Sequence, residues 1–257
     1  MIQMLITIAV LTLVYVNVIY LVSLVKKDFG IMDIAWGVGF VIIAGYSLFF
    51  SDSLYTRQIV ITLLTTVWGG RLSLHIFLRN KDKPEDFRYN KWRKDWGKFA
   101  PVRAYFQVFI LQGFLMIIFA MPVIVTNANT GPGIDLLTLI GAIVWFTGFG
   151  FETIGDYQLM RFKQNPANKG KIMTEGLWRY TRHPNYFGEA LLWWGIWIIA
   201  IPVEYGAWTV LSPALLTFFL LKVSGIPMLE RKYENDERYT AYKHRTNKFI
   251  PWKPETT

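Results

Sequence analysis

The stretch MIQMLITIAVLTLVYVNVIYLVSLV, residues 1 to 25, is apolar almost throughout and holds no charged side chain. A helix rises about 1.5 Å per residue and the hydrocarbon core of a bilayer is about 30 Å thick, so roughly 20 apolar residues cross it. The stretch lacks the early charged region and the small-residue cleavage site of a removable signal peptide. We therefore expect a retained first transmembrane helix.

Apolar runs of similar length recur along the 257 residues, of which 53% are apolar. A soluble domain with one core has no need of such runs, so the pattern predicts an all-α, polytopic membrane protein with seven transmembrane helices. The predicted spans are residues 2–25, 31–50, 57–79, 102–126, 134–160, 184–203 and 206–226, followed by a tail at 227–257. No internal repeat or linker interrupts them, which predicts a single domain over residues 1–257.

Basic residues lie on alternate connections between these spans. Of the 27 Lys and Arg residues, 25 fall in the segments 26–27, 79–103, 161–182 and 222–253. Positively charged loops stay in the cytoplasm, so the distribution predicts an N-terminus outside and a cytoplasmic C-terminus. Topology and attraction to anionic membrane lipids then explain the net charge of +9. Because these residues flank spans and form no binding motif, nucleic acid is not an expected partner.

The composition also argues against metal and disulfide sites. The chain has no Cys, which excludes a disulfide framework and a cysteine metal site. Its three His residues, His75, His183 and His244, are scattered, so no metal centre is expected. Aromatic residues make up 17% of the chain, which suits interfacial belts and pockets for planar ligands.

Ionisable side chains inside a predicted span are costly there and are therefore candidates for function. Asp33 lies at the start of the second span, in GIMDIAWG (30–37), where the alternative is an interfacial Asp that stabilises the helix N-terminus. Arg71, His75 and Arg79 are four residues apart on the third span and share one helix face. This polar stripe either pairs with Asp33 or contacts an anionic ligand from the cytosol.

The end of the fifth span, GFGFETIGDYQLMRFK (148–163), carries Glu152 and Asp156 on one face, followed by Arg161 and Lys163. Carboxylates accept hydrogen bonds from ribose hydroxyls or amides, and cations bind phosphates. The simpler alternative is an ion pair between Asp156 and Arg161. The glycines of this segment do not match the dinucleotide pattern GxGxxG, so they predict close helix packing or room for a flat ligand.

Two further segments combine aromatic, basic and acidic residues. GLWRYTRHPNYFGE (176–189) stands directly before the sixth span, and its Pro184 fits the first turn of a helix whose free N–H groups suit phosphate. LERKYENDERYTAYKHRTNKFIPW (229–252) has Tyr, Glu and Arg at helical spacing, which predicts a juxtamembrane helix folded back under the bundle.

These two segments, together with DIAWG (33–37) and DYQLMRFK (156–163), resemble the bacterial relatives of the steroid 5-alpha-reductase family, specifically its DUF1295 branch. The resemblance covers nearly the whole chain, and the Arg-His-Pro-Asn-Tyr run with its trailing Glu is the most specific part. Isoprenylcysteine carboxyl methyltransferase and sterol C14 reductases look similar through the same C-terminal half.

The resemblance implies an NADPH-dependent reductase that acts on an activated carbon–carbon double bond of a hydrophobic, lipid- or steroid-like substrate. It also favours a bacterial inner membrane, and it leaves the oligomeric state open. Arg79 and Glu152 join the residues it implies because they lie on the polar faces described above. The expected cofactor-binding residues are Arg79, Glu152, Asp156, Lys163, Arg179, Tyr180, Arg182, His183, Asn185, Tyr186, Glu189, Glu230, Arg231, Tyr239 and Tyr242.

In the steroid enzymes a Glu and a Tyr hydrogen-bond the carbonyl oxygen on which negative charge develops. Asp33 is the nearest match to that Glu, and Trp68 stands where the Tyr is expected. An indole donates one N–H but transfers no useful proton, so Tyr89 or His75 is an alternative donor. The candidate catalytic residues are therefore Asp33, Trp68, His75 and Tyr89.

Two other classes of function remain open at this point. An S-adenosylmethionine-dependent methyltransferase of a lipid or prenylated substrate would share the C-terminal half, but a nucleophilic methyl acceptor needs less acid assistance than Asp33, Glu152 and Asp156 offer. A membrane scaffold or transporter explains seven spans, yet it leaves unexplained the two long connections at 79–99 and 161–183, which mix aromatic and basic residues.

Overall fold

The computed structural model describes residues 1–52, 54–129, 131, 133–231 and 233–254. These residues form helices, short helical turns and loops, and no strand occurs among them. The α-helices are α1 (Ile2–Lys26), α2 (Ile31–Phe49), α3 (Thr56–Asn80), α4 (Phe87–Trp96), α5 (Ala100–Ala104), α6 (Leu111–Ala128), α7 (Leu136–Gln164), α8 (Pro184–Ala200), α9 (Leu211–Phe218), α10 (Ile226–Arg231) and α11 (Glu237–Arg245). The all-α prediction is confirmed for this part of the chain.

Six helical segments in the described ranges are long and apolar enough to cross a membrane. They are Ile2–Lys26, Ile31–Phe49, Thr56–Asn80, Phe87–Ala128, Leu136–Gln164 and Gly206–Arg231. Along α1, large apolar side chains such as Ile6, Val10 and Leu21 are exposed, as lipid contact requires. These segments indicate a multi-pass membrane protein. The sixth predicted span, 184–203, corresponds to α8 with its 17 residues and is not among these six segments. The count of seven spans and the side of each terminus stay predictions.

The chain folds into two compact units. The first unit comprises Met1–Asp135 and Ala200–Thr209, and the second comprises Leu136–Ile199 and Val210–Thr257. The prediction of a single domain stays a prediction, and the two units are described separately below.

The core of the first unit is built on a close contact between α2 and α3. A Cβ atom on Gly37 would collide with the carbonyl oxygen of Gly69, and one on Gly69 would lie 2.5 Å from the carbonyl oxygen of Gly37. Only glycine permits this approach of the two backbones. Beside it, the fully buried indole of Trp68 packs edge-on against Phe40, with ring centroids 5.2 Å apart.

The second unit is organised in the same way around α7 and α8. Gly141 and Gly148 on α7 face Gly195 and Gly188 on α8, so each helix presents a glycine every second turn. A Cβ atom on Gly195 would lie 2.6 Å from the carbonyl oxygen of Gly141. The sequence prediction of close packing therefore holds at Gly148, and the contact fixes the helix that follows Arg182 and His183.

Candidate functional site

A cluster of charged and phenolic side chains, the Asp33 cluster, lies in the first unit and consists of Asp33, Asp86, Arg88 and Tyr89. The Tyr89 hydroxyl donates a hydrogen bond to Oδ1 of Asp33 over 2.6 Å. Arg88 Nη2 forms an ion pair with Oδ2 of the same carboxylate, also at 2.6 Å. Both carboxylate oxygens of Asp33 are thus engaged by neighbouring residues of α4, more than 50 positions later in the chain.

The start of α4 explains why Arg88 and Tyr89 point the same way. Asp86 is the N-cap of this helix, and its Oδ1 accepts the backbone N–H of Arg88 at 2.9 Å. The segment before α4 is tied to the α2 region, because Glu85 accepts the Phe29 N–H at 2.8 Å and pairs with Arg93 at 2.9 Å. These bonds hold the first turn of α4 against the beginning of α2.

Burial and neighbouring charges shift the pKa values of two carboxyl groups at or near the Asp33 cluster, Asp86 and Asp28. Burial would raise the pKa of Asp86, but the hydrogen bond and charge of Arg88 outweigh it and lower that pKa below its ordinary value. Burial raises the pKa of nearby Asp28, and the carboxylates of Glu85 and Asp33 add to the effect. Tyr89 is only 2% exposed, so its hydroxyl lies away from water.

The other expected catalytic residues lie on α3. Trp68 is fully buried in the packing described above. His75 is half-buried, and Arg79, which we expected to contact the cofactor, is exposed and hydrogen-bonds Asn80 Oδ1 at 3.2 Å. Of the four catalytic candidates, the structure brings Asp33 and Tyr89 into direct contact.

In the second unit, a hub forms around the Glu230 carboxylate. Its Oε1 accepts hydrogen bonds from Arg182 Nε at 3.0 Å and from the Tyr239 hydroxyl at 3.2 Å. His183 Nε2 lies 3.2 Å from the same oxygen, and Lys243 Nζ lies 3.8 Å from Oε2. Four expected cofactor residues, from two distant segments, therefore meet in one charged group.

The non-helical segment 246–252, the strap, lies along residues 180–182 in the same unit. The backbone N–H of Arg182 donates to the Asn247 carbonyl, and that of Trp252 donates to the Tyr180 carbonyl. Nη1 of Arg182 also donates to the Thr246 carbonyl at 2.7 Å. Arg182 is 8% exposed, so its guanidinium is a buried connector between the turn and the strap.

The tyrosines of α11 complete this connection. The Tyr242 hydroxyl donates to the Trp178 carbonyl, and the Trp178 indole donates to the Gly155 carbonyl on α7 at 3.1 Å. Burial raises the pKa of both Tyr239 and Tyr242, so each phenol keeps its proton and acts as a donor. The C-terminal segment is thus folded back, as the helical spacing of its Tyr, Glu and Arg predicts.

Several polar groups near the start of α8 have capacity left for a ligand. Asn185 Nδ2 donates to Asp156 Oδ1 at 3.1 Å, while the buried Asn185 Oδ1 has no hydrogen-bond partner among the described residues. Burial lowers the pKa of His183, so the ring is neutral; since Nε2 faces a carboxylate, we assign the proton there. His183 Nδ1 is then a buried acceptor with no partner in the described ranges.

The remaining expected cofactor residues surround these groups to different degrees. The Tyr186 ring stacks on the His183 ring at 5.7 Å between centroids. Glu152 on α7 is buried at 2% exposure, and Glu189 on α8 is half-buried. The exposed members of the set are Lys163, Arg179, Tyr180 and Arg231.

These residues fit a dinucleotide in chemical terms. The exposed cations supply partners for phosphate oxygens, and the unfilled acceptors on His183 and Asn185 suit the hydroxyl or amide donors of such a ligand. No group of three or more side chains suited to a metal ion occurs in the part of the chain that the structure describes.

Sequence reasoning missed three residues that shape the Asp33 cluster, namely Glu85, Asp86 and Arg88. The signal was present in PEDFRY (84–89), where Asp stands directly before an aromatic and basic helical run and so marks a helix N-cap.

Comparison with known proteins assigns the chain to a family. Among curated proteins, the chain is similar to the uncharacterized protein C594.04c of Schizosaccharomyces pombe (strain 972), with 22% identity over 269 residues that cover 91% of this chain and 76% of the relative. No solved structure matches the chain. The model of the family described as "Protein of unknown function (DUF1295)" matches residues 19–246. Since this match covers well over half of the 257 residues, the chain belongs to the DUF1295 family.

Proposed function

We propose that this protein is a membrane-embedded, NADPH-dependent oxidoreductase that reduces an activated carbon–carbon double bond, such as that of an enone, in a hydrophobic, lipid- or steroid-like substrate. The observation that carries the proposal is the contact of the Tyr89 hydroxyl with Asp33, with Arg88 on the other carboxylate oxygen. Tyr89 is one of the alternative donors expected from the sequence, and its hydroxyl is hydrogen-bonded to Asp33.

The Asp33 cluster has the chemistry that an enone requires. The single phenol hydrogen of Tyr89 goes to Asp33 Oδ1 in this structure, so a substrate carbonyl oxygen placed beside the pair would accept that hydrogen bond in place of Asp33, whose carboxylate stays bound to Arg88. As negative charge collects on that oxygen, the phenol proton moves to it and leaves a phenolate, and the single positive charge of Arg88 offsets part of the negative charge on the phenolate and the Asp33 carboxylate. The burial of Tyr89 strengthens each of these interactions by excluding water.

We propose that the groups around the start of α8 hold NADPH, which when bound supplies the hydride for the β carbon. Arg179 and Lys163 bind phosphate oxygens, while Asp156 and Asn185 take hydroxyl or amide donors. Arg182 acts from inside the protein, because its donors already meet Glu230 and the strap. The Glu230 hub thus fixes the conformation of the turn at residues 180–182 and, with it, the position of exposed Arg179.

The finer topology is part of the same proposal. α8 is the sixth of seven spans, the N-terminus lies outside and the C-terminus is cytoplasmic, as the distribution of basic residues supports. The resemblance to bacterial proteins supports a bacterial inner membrane, although the matched relative is fungal.

The cofactor is tested by thermal unfolding of the purified protein in detergent with NADPH or with S-adenosylmethionine. A ligand that binds only the folded state raises the free energy of unfolding by about 2.7 kcal/mol at one hundred times its Kd, and the unfolding midpoint rises with it. We expect NADPH to raise the midpoint. Stabilisation by S-adenosylmethionine alone would overturn the reductase proposal. It would favour a methyltransferase of a lipid or prenylated substrate, the class suggested by the shared C-terminal half.

The catalytic part is tested with Tyr89→Phe, which keeps the ring and removes the hydroxyl. Loss of a general acid lowers turnover by about a hundredfold or more, so NADPH oxidation with an alkyl enone should fall by that factor. The matched control is Tyr15→Phe, which removes a hydroxyl bonded to the Ala35 carbonyl at 2.7 Å in the same unit. Equal rates in the two variants would remove Tyr89 from the mechanism.

A further inference from the structure

The chain contains two Asp-x-Arg helix caps with the same local hydrogen bonds. In α4, Asp86 Oδ1 accepts both the backbone N–H and the Nε–H of Arg88, each at 2.9 Å. In α11, Asp236 Oδ1 accepts the backbone N–H of Arg238 at 2.9 Å and its Nε–H at 3.1 Å. In both caps one carboxylate oxygen fixes the backbone and one edge of the guanidinium.

The two caps differ in where the second edge of the guanidinium goes. In α11 the ring of hydrogen bonds closes, because Arg238 Nη2 returns to Asp236 Oδ2 at 2.9 Å. In α4 the Nη2 atom of Arg88 leaves the cap and reaches Asp33 Oδ2 at 2.6 Å. The cap of α11 is therefore an exposed, self-contained unit, with Arg238 66% exposed, whereas the cap of α4 directs its cation towards another helix.

We propose that Asp86 is a positioning residue, which holds the Arg88 guanidinium by Nε so that Nη2 stays on Asp33. An arginine side chain has many rotamers, and fixing one edge of its planar fork also fixes the direction of the other edge. Tyr89 follows Arg88 in the same first turn, so Asp86 orients both partners of the Asp33 carboxylate. The effect of Asp86 on turnover rests on the proposed function, whereas the structural coupling of Asp86 to Asp33 does not.

A double-mutant cycle on thermal unfolding in detergent tests the coupling without any substrate. Asp86→Ser keeps an oxygen that caps the helix but lacks the reach to Arg88 Nε. We expect Asp86→Ser to lower the unfolding midpoint more in the wild-type background than in the Asp33→Asn background. The difference between the two shifts should be about 2–4 °C, because residues that share a network are coupled. Should Asp86→Ser not accumulate, Asp86→Thr takes its place in the cycle.

The control in the same cycle is Asp236→Ser, whose effect should be equal in both backgrounds because its arginine returns to its own cap. Equal midpoint shifts for Asp86→Ser in the two backgrounds would overturn the proposal. Because no ligand is needed, this result decides the coupling even if the protein is not a reductase.

The kinetic test follows NADPH oxidation with a dodecyl-substituted cyclohexenone in detergent micelles. Misplacing a charge-balancing group lowers the rate rather than substrate binding, so Asp86→Ser should reduce kcat about tenfold to a hundredfold with KM little changed. Asp86→Asn, which keeps an oxygen for both Arg88 donors, should restore most of the rate, and Asp236→Ser should match wild type. A loss confined to KM, or equal losses in Asp86→Ser and Asp86→Asn, would contradict positioning. An inactive wild type would instead count against the proposed function.

Discussion

Replacing Gly148 by Ala tests the packing of α7 on α8 directly. The new Cβ would lie 2.5 Å from the Leu192 backbone nitrogen and 2.6 Å from the Gly188 carbonyl oxygen. Both atoms belong to backbone that cannot rotate away, so the helices must separate locally. Gly150→Ala on the same helix is the matched control, since a Cβ there meets nothing within 4 Å.

The two substitutions should change stability in opposite directions. Overpacking a tight contact costs about 1–3 kcal/mol, which for a chain of this size lowers the unfolding midpoint by about 2–12 °C. At an open helical position, exchanging Gly for Ala favours the helix by up to about 1 kcal/mol. The expected difference between the variants is therefore larger than either effect alone.

The assay is thermal unfolding of both variants in the same detergent and at the same protein concentration, followed by tryptophan fluorescence. Since unfolding of membrane proteins in detergent is often irreversible, scan rates must match and the midpoint is read as an apparent one. If Gly148→Ala unfolds at or above the midpoint of Gly150→Ala, then α7 and α8 do not approach each other as described.

Two further predictions concern the second unit. Arg182→Ala removes one charged partner of Glu230, which keeps its bonds to Tyr239 and His183, and leaves two carbonyls without this donor, so stability should fall by about 1–3 kcal/mol. Exposed Arg179→Ala should melt like wild type, and equal midpoints of the two variants would contradict a buried connector. Burial lowers the pKa of His183 below its ordinary 6.5, so the unfolded chain takes up a proton first as pH falls and stability is lost from about pH 7 downward. His183→Gln should lose less over that interval, and parallel melting curves across pH would refute this assignment.

The transmembrane helices were predictable because their length is set by the membrane. The apolar run at 57–79 became Thr56–Asn80, and the run at 31–50 became Ile31–Phe49. The fifth predicted span, 134–160, extends as a helix to Gln164, because the polar residues after Met160 continue the backbone hydrogen bonds beyond the apolar part. Hydropathy reports the apolar part of a helix and carries no signal for such an extension.

The last predicted span shows a different limit. Residues 206–226 form a helical run in which the turn at Gly206–Val210, the helix α9 and a π turn at Phe219–Val223 follow one another. A continuous apolar run is compatible with all three helical conformations, so the hydropathy that predicts a span cannot separate them.

Site residues were predictable individually, but not their pairing. Asp33 and Tyr89 stand out because a carboxylate in a span and a phenol in a charged loop are unusual there. Their contact depends on a cap at Asp86 that turns α4 towards α2, and no local pattern relates positions so far apart. Arg182 was expected to contact the cofactor from a resemblance, yet its burial and its bonds to the strap emerge only when residue 246 is in place.

The strap also sets an order of events during biosynthesis. Arg182 donates to the carbonyl of Thr246, which is made 64 positions later, so the turn leaves the ribosome before its acceptors exist. Until then, water must satisfy the Arg182 guanidinium and backbone N–H. Translation proceeds at about 5–20 residues per second, which gives α8 several seconds to insert before residues 246–252 are available. The turn at residues 180–182 can therefore acquire its final shape only after α8 and then the strap have been made.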